Sequence, residues 1–114
     1  MKISEVLELC NARLVCGDDR TGNEVLSAFS SDLMSDVLML PAQKILLITG
    51  LCNIQTIRTA EMADIRCILF VRNKKASEEM KQLARENGLV IMETPFSLFR
   101  ASGLLFARGL SPVY

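Results

Sequence analysis

The feature that most constrains the fold is a recurrence in the second half of the chain. Lys44 to Thr49, Arg66 to Val71 and Leu89 to Glu93 are apolar, β-rich runs, and they begin about 22 residues apart. Each run precedes a helical pattern. Ile54, Ile57, Ala60 and Ala63 share one helical face, with Asn53 as cap. Met80, Leu83 and Ala84 share another. Ser77 is placed to cap that second helix, with Glu78 and Glu79 in its first turn, Arg85 in its last and Gly88 just beyond. Thr94-Pro95 is expected to open a final helix, with Pro95 at its first position, and Gly109 to close it. Three β-α units in succession imply parallel strands joined by right-handed crossovers. The runs ILLI and CILFV are apolar on both faces, as strands covered on both sides should be. The expectation is an α/β fold: a three-layer α/β/α sandwich with a mainly parallel sheet of about four or five strands.

Upstream of the recurrence the chain is less regular. Ile3, Val6, Leu7 and Cys10 mark a short amphipathic helix, with Ser4 as a candidate cap, and Leu14 to Cys16 fits a brief strand. Then comes GDDRTGNEVLSAFSSDLMSDVLML, residues 17 to 40. It opens on a dense turn signal, Asp18 to Asn23, in which Gly22 is free to take positive φ and Asn23 tolerates it. Val25 to Phe29 reads as a strand. Ser30, Ser31 and Asp32 are candidate caps for a helix over 33 to 40, whose apolar face is Leu33, Met34, Val37 and Leu38 and which Pro41 ends.

The totals narrow the function. A chain of 114 residues is expected to form one domain over residues 1–114, burying roughly two-thirds of its unfolded surface. Thirteen basic residues balance thirteen acidic ones, so there is no general attraction to nucleic acid or to anionic membrane. No leader and no apolar run of about 18 residues is seen, so the reading is cytoplasmic. Cys10, Cys16, Cys52 and Cys67 form no C-x-x-C pair and read as small core residues. Histidine is absent. That removes the usual general base and the Ser-His and Cys-His nucleophile pairs. No cofactor and no metal is expected.

The string GDDRTGNEVLSAFSSDLMSDVL resembles the DRTGG domain, a family named for this turn, in which an S-D-L-x-S-D-V-L segment follows. LLITGL, the strand ending in FVRN, the helix ending in ARENG and the closing TPFSLFRASGLLFARGL are similar to that family as well, so the resemblance spans nearly the whole chain. One departure is Asn23, where the family has Gly; the backbone shape should survive, but a side-chain-free approach to a ligand is put in doubt. The resemblance implies a fold like the N-terminal domain of HPr kinase/phosphorylase, which is not the part that carries the kinase chemistry. DRTGG domains also occur attached to phosphotransacetylase and to CBS-domain pairs, where they look like regulatory or assembly modules. No catalytic residue carries over.

Three places are candidates for a site. In the turn, Asp19, Arg20, Thr21, Gly22 and Asn23 either satisfy one another or bind an anion such as phosphate; no P-loop string is present. Ser31, Asp32, Ser35 and Asp36 either cap a helix or gather polar groups at its start, near the turn. At the carboxyl ends of the strands, Thr49, Gly50 and Arg72 border a basic loop running to Lys75, where open parallel sheets bind ligands. The last helix is apolar on more than one face: Phe96, Phe99 and Phe106 on one side, Leu98, Leu105, Ala101, Ser102 and Gly103 elsewhere. The surplus is either core or an interface between copies of this chain. The leading expectation is a non-enzymatic regulatory or interaction module that senses an anionic nucleotide or phosphorylated metabolite and self-associates, serving a protein partner not yet identified. The alternatives are an enzyme acting on a phosphorylated substrate through Asp32 or Asp36, and a purely structural subunit of a larger complex.

Overall fold

A computed structural model describes residues 1–41 and 43–114. In chain order the elements are α1 (Ile3–Leu9), β1 (Arg13–Cys16), a 3-10 turn (Asp18–Arg20), β2 (Ser27–Ser30), α2 (Met34–Val37), β3 (Ile45–Thr49), α3 (Ile54–Met62), β4 (Cys67–Phe70), α4 (Glu78–Glu86), β5 (Val90–Glu93), α5 (Leu98–Ala107) and β6 (Ser111–Pro112). The strands form one sheet in the order β1-β5-β4-β3-β2-β6. β5, β4, β3, β2 and β6 run parallel, and β1 is antiparallel to β5 at one edge.

The three apolar runs supply the middle strands of this sheet, β3, β4 and β5, and every residue of those strands is buried. Side chains alternate between two cores, as the period of two requires. On one face Ile45, Leu47, Ile68, Phe70 and Ile91 pack with Met34 and Val37 of α2, Ile57 and Ala60 of α3, and Met80 and Ala84 of α4. On the other, Leu46, Ile48, Leu69, Val90 and Met92 pack with Ile3 and Val6 of α1 and with Ala101 and Leu105 of α5. The α/β/α layering is therefore as expected. The sheet has six strands among the described residues, one more than expected. The added strand, Ser111–Pro112, is two residues long, and proline sits there because an edge position demands no further ladder donor.

Several local expectations hold. Asn53 and Ser77 cap α3 and α4 through their side-chain oxygens, and Gly88 (φ 66°) and Gly109 (φ 97°) follow α4 and α5 in the left-handed region. Others are corrected by tertiary demands. α5 begins after Ser97, whose hydroxyl accepts from the Arg100 N–H at 3.1 Å. Thr94 is unavailable to a helix start: its buried hydroxyl donates to the Cys10 carbonyl at 2.6 Å and accepts from the Phe96 N–H. Ser4 lies inside α1, where the Glu5 carboxylate accepts from the Lys2 N–H. α2 is a single turn that buries Met34 and Val37 and leaves Leu33 and Leu38 exposed.

One buried acid ties this architecture together. Glu93, at the carboxyl end of β5, accepts from the Arg13 guanidinium of β1 at 2.7 Å and from the Ala76 N–H at 2.7 Å, with the Lys75 ammonium 3.9 Å away. It joins the antiparallel edge to the loop that leads into α4.

Candidate functional site

The residues singled out in the sequence do not form one corner. Parallel strands carry their amino ends to one side of the molecule and their carboxyl ends to the other, and the candidates divide between them. A five-residue strand such as β3 separates the two sides by on the order of 15 Å.

At the carboxyl ends, Ser31 and Asp32 follow β2, Thr49 and Gly50 follow or end β3, and Arg72 follows β4. The β2–β3 register, with Ser30 opposite Ile48, brings Asp32 beside Thr49. One Asp32 carboxylate oxygen accepts from the Thr49 hydroxyl at 2.9 Å and from the Gly50 N–H at 2.8 Å. Asp32 was expected to cap the following helix; its oxygen serves the buried end of the neighbouring strand instead. Ser31 takes the local role, its hydroxyl accepting from the Leu33 N–H at 2.9 Å. The Arg72 guanidinium lies on the bare face of Gly50: a Cβ built there would sit 2.6 Å from Arg72 Nη2. Arg72 and Asn73 both hold left-handed backbone, near φ 60°, fixed by N–H donation to the Phe96 and Thr94 carbonyls. Ser35 and Asp36 lie exposed on α2 and join neither group.

At the amino ends lies the turn. Gly17 (φ 95°) launches it, the 3-10 segment follows, and the Arg20 carbonyl accepts from the Asn23 N–H. The expected left-handed residues were Gly22 and Asn23; neither holds positive φ, and the need falls on Gly17. The reason is tertiary. The Gly17 Cα side faces Val90 so closely that a Cβ would meet Val90 Cγ2 at 2.7 Å. The turn is then stitched to α1, with the Thr21 and Asn23 carbonyls accepting from the N–H groups of Ser4 and Ile3 at 2.9 Å.

This turn borders a cavity of about 670 Å³ across the starts of β3, β4 and β5. Ile45, Cys67 and Val90 give it an apolar floor, while Arg20, Lys44 and Arg66 supply three cations and Glu24 and Asp64 two carboxylates. Gly22 and Asn23 line it; Asp19 is exposed beside Arg20. The Arg20 side chain lies along the bare face of Gly88, 3.4 Å from where a Cβ would be. Its guanidinium is 3.4 Å from Asp19, and that of Arg66 is 2.9 Å from Asp64. Arg66 also donates to the Asn87 carbonyl at 3.1 Å. Ion pairs this exposed contribute about 0–1 kcal/mol each, so either arginine can exchange its carboxylate for a ligand oxygen at small cost. Lys44 makes no ion pair among the described residues.

Lys44, Arg66, Asp64 and Glu24 were missed in the sequence. A signal existed: two of the apolar runs open on a cation, Lys44 and Arg66. Adjacent parallel strands put such residues side by side. The four thiols offer no nucleophile. Burial raises Cys16, pushes Cys10 and Cys52 up to about 11 and Cys67 up to about 12, so they stay protonated at neutral pH. Among the described residues no cluster of three or more acidic or cysteine side chains is arranged to hold a metal, and no helix is long and apolar enough to cross a membrane.

No protein-family model matches the chain, nor does any curated protein. The structure is similar to the crystal structure of the CBS and DRTGG domains of the regulatory region of Clostridium perfringens pyrophosphatase, complexed with its activator, diadenosine tetraphosphate. The TM-score is 0.75 at 16% identity, over 98% of this chain and 48% of that one. This chain shares its fold with the matched part of that region. This chain spans about half the length of that regulatory region.

Proposed function

We propose that the protein is a non-enzymatic regulatory module of the DRTGG type that binds an anionic small molecule, a nucleotide or phosphorylated metabolite, at the amino ends of its parallel strands, and that it self-associates. The observation that carries this reading is the convergence of Arg20, Lys44 and Arg66, from three separate segments, on one cavity of about 670 Å³. That volume lies within the range of small-molecule sites, roughly 300–1,000 Å³. Arginine matches phosphate oxygens with two parallel N–H donors, and lysine adds a point charge. The pyrophosphatase regulatory region, about half of which shares this fold, was solved with a nucleotide activator, which is consistent with this class of ligand. Neither candidate acid lies at this cavity: Asp32 serves Thr49 and Gly50, and Asp36 is exposed on α2.

Binding would act by differential affinity. A ligand that bridges the turn and the strand starts favours one arrangement of that edge, and a partner reads it. The test is a melting-temperature panel of nucleotides and phosphorylated metabolites, followed by calorimetry on any hit. A ligand at a hundred times its Kd stabilises by about 2.7 kcal/mol. Arg20→Gln and Lys44→Gln should each abolish most of that shift while keeping the apo fold. If no compound moves the wild-type melting temperature, or if the two variants respond as wild type does, the pocket assignment fails.

A further inference from the structure

A second cavity, of about 460 Å³, lies on the other side of the molecule, between α5 and the β2–β6 edge. Phe29, Phe99, Phe106, Val113 and Tyr114 give it an almost wholly apolar wall. Three of these aromatics face solvent: Phe99 is 89% exposed, Phe106 66% and Tyr114 79%. At about 200 Å² for a full aromatic side chain, they present on the order of 450 Å² of apolar surface. That is more than half of the roughly 800 Å² per partner in a stable interface. A single patch of this size falls among the largest that monomers carry, roughly 300–600 Å², which are often functional surfaces.

The exposed stripe of α5 is Phe99, Ser102, Gly103 and Phe106, at helical spacings of three, one and three. It is symmetric about its own midpoint. In an antiparallel pair of such helices, Phe99 of one copy meets Phe106 of the other, and Ser102 meets Gly103. Gly103 is the telling residue. Glycine inside a helix costs about 1 kcal/mol relative to alanine. Nothing within this chain requires it, because a Cβ at Gly103 would meet no atom within 4 Å. Its φ is not positive. A bare helix face that its own fold does not need is what close approach of a second helix needs. Ser102 shares a 2.7 Å hydrogen bond with Ser30 of β2, and the Arg100 guanidinium is held over the Phe96 ring, 3.8 Å from its centre.

We infer that this face is the contact between two copies of the chain, an isologous dimer in which α5 packs antiparallel on its twin across Gly103 and the flanking phenylalanines close each other's grooves. This deepens the self-association in the function proposed above and rests on it. Sedimentation velocity at micromolar concentrations tests it, on wild type, Gly103→Lys, Phe106→Asp and a control, Met62→Asp, on the exposed side of α3. Wild type and the control should be dimers. Gly103→Lys and Phe106→Asp should raise the dissociation constant roughly thirtyfold or more, with unchanged circular dichroism. Since Phe106 is exposed in the single chain, its variant keeps the test alive if lysine in the helix disturbs folding. A wild-type monomer at every concentration overturns the dimer and self-association together, whatever else the groove takes up. A dimer that survives both substitutions overturns this interface and leaves self-association standing.

Discussion

Gly17→Ala is expected to be the most damaging small substitution in the turn. The residue holds φ 95°, in the left-handed region. A Cβ there costs about 1–2 kcal/mol from its own carbonyl alone. It also arrives 2.7 Å from Val90 Cγ2 and 3.1 Å from Val90 Cα. Val90 is buried on the strand next to the sheet edge, and its backbone is paired with β4, its N–H donating to the Arg66 carbonyl at 2.8 Å, so it yields little. Overpacking of this kind costs about 1–3 kcal/mol. Alanine recovers about 0.4–1 kcal/mol by restricting the unfolded chain. The net loss is about 3 kcal/mol, a large share of the roughly 5–15 kcal/mol by which domains are stable. Gly22→Ala is the matched control: its φ is not positive and a Cβ would meet nothing within 4 Å, so it should be neutral or slightly stabilising. Urea unfolding followed by circular dichroism measures both at constant m-value. The reasoning is refuted if Gly17→Ala loses less than about 1 kcal/mol, or if Gly22→Ala loses as much as Gly17→Ala.

Two further predictions concern buried ionisable groups. Glu93→Gln keeps the shape of the side chain but puts an amide donor against either the Arg13 guanidinium or the Ala76 N–H, both of which are donors. Because Arg13 is two-thirds exposed, water screens much of its loss, and the expected cost is about 2 kcal/mol by urea unfolding; a change below about 0.5 kcal/mol would show that the contact is idle. For pH, burial favours the neutral form of Cys67 in the fold, at about 12 against an ordinary 9.0. Its stabilising contribution is whole below pH 9.0 and is lost as pH rises from there toward 12. Cys67→Ala should therefore flatten the alkaline fall in stability, by up to about 1.4 kcal/mol per pH unit, and identical slopes in the two proteins would contradict the burial.

The polar turn shows where reading the sequence stops. Its string announced a glycine-dependent bend, and a bend is there. Which glycine carries it depends on Val90, more than 70 residues away in the chain, so no local rule could choose Gly17 over Gly22. Asp32 is similar. Locally it is a good cap, but a buried threonine hydroxyl and a glycine N–H at the end of β3 compete for the same oxygen and win.

Local patterning determined the layers. Runs apolar on both faces must lie between helices, and helices with one apolar stripe must cover them, so the α/β/α order, the parallel centre of the sheet, and the caps at Asn53 and Ser77 follow from the chain itself. The tertiary structure alone decided which side of the sheet each polar residue reaches. Strand direction sends Arg20 with Lys44 and Arg66 to one rim, and Asp32, Thr49 and Arg72 to the other. Sequence spacing encodes periodicity along one segment, whereas shared position at a rim depends on strand order and register. Those are fixed only when the whole sheet closes its two cores.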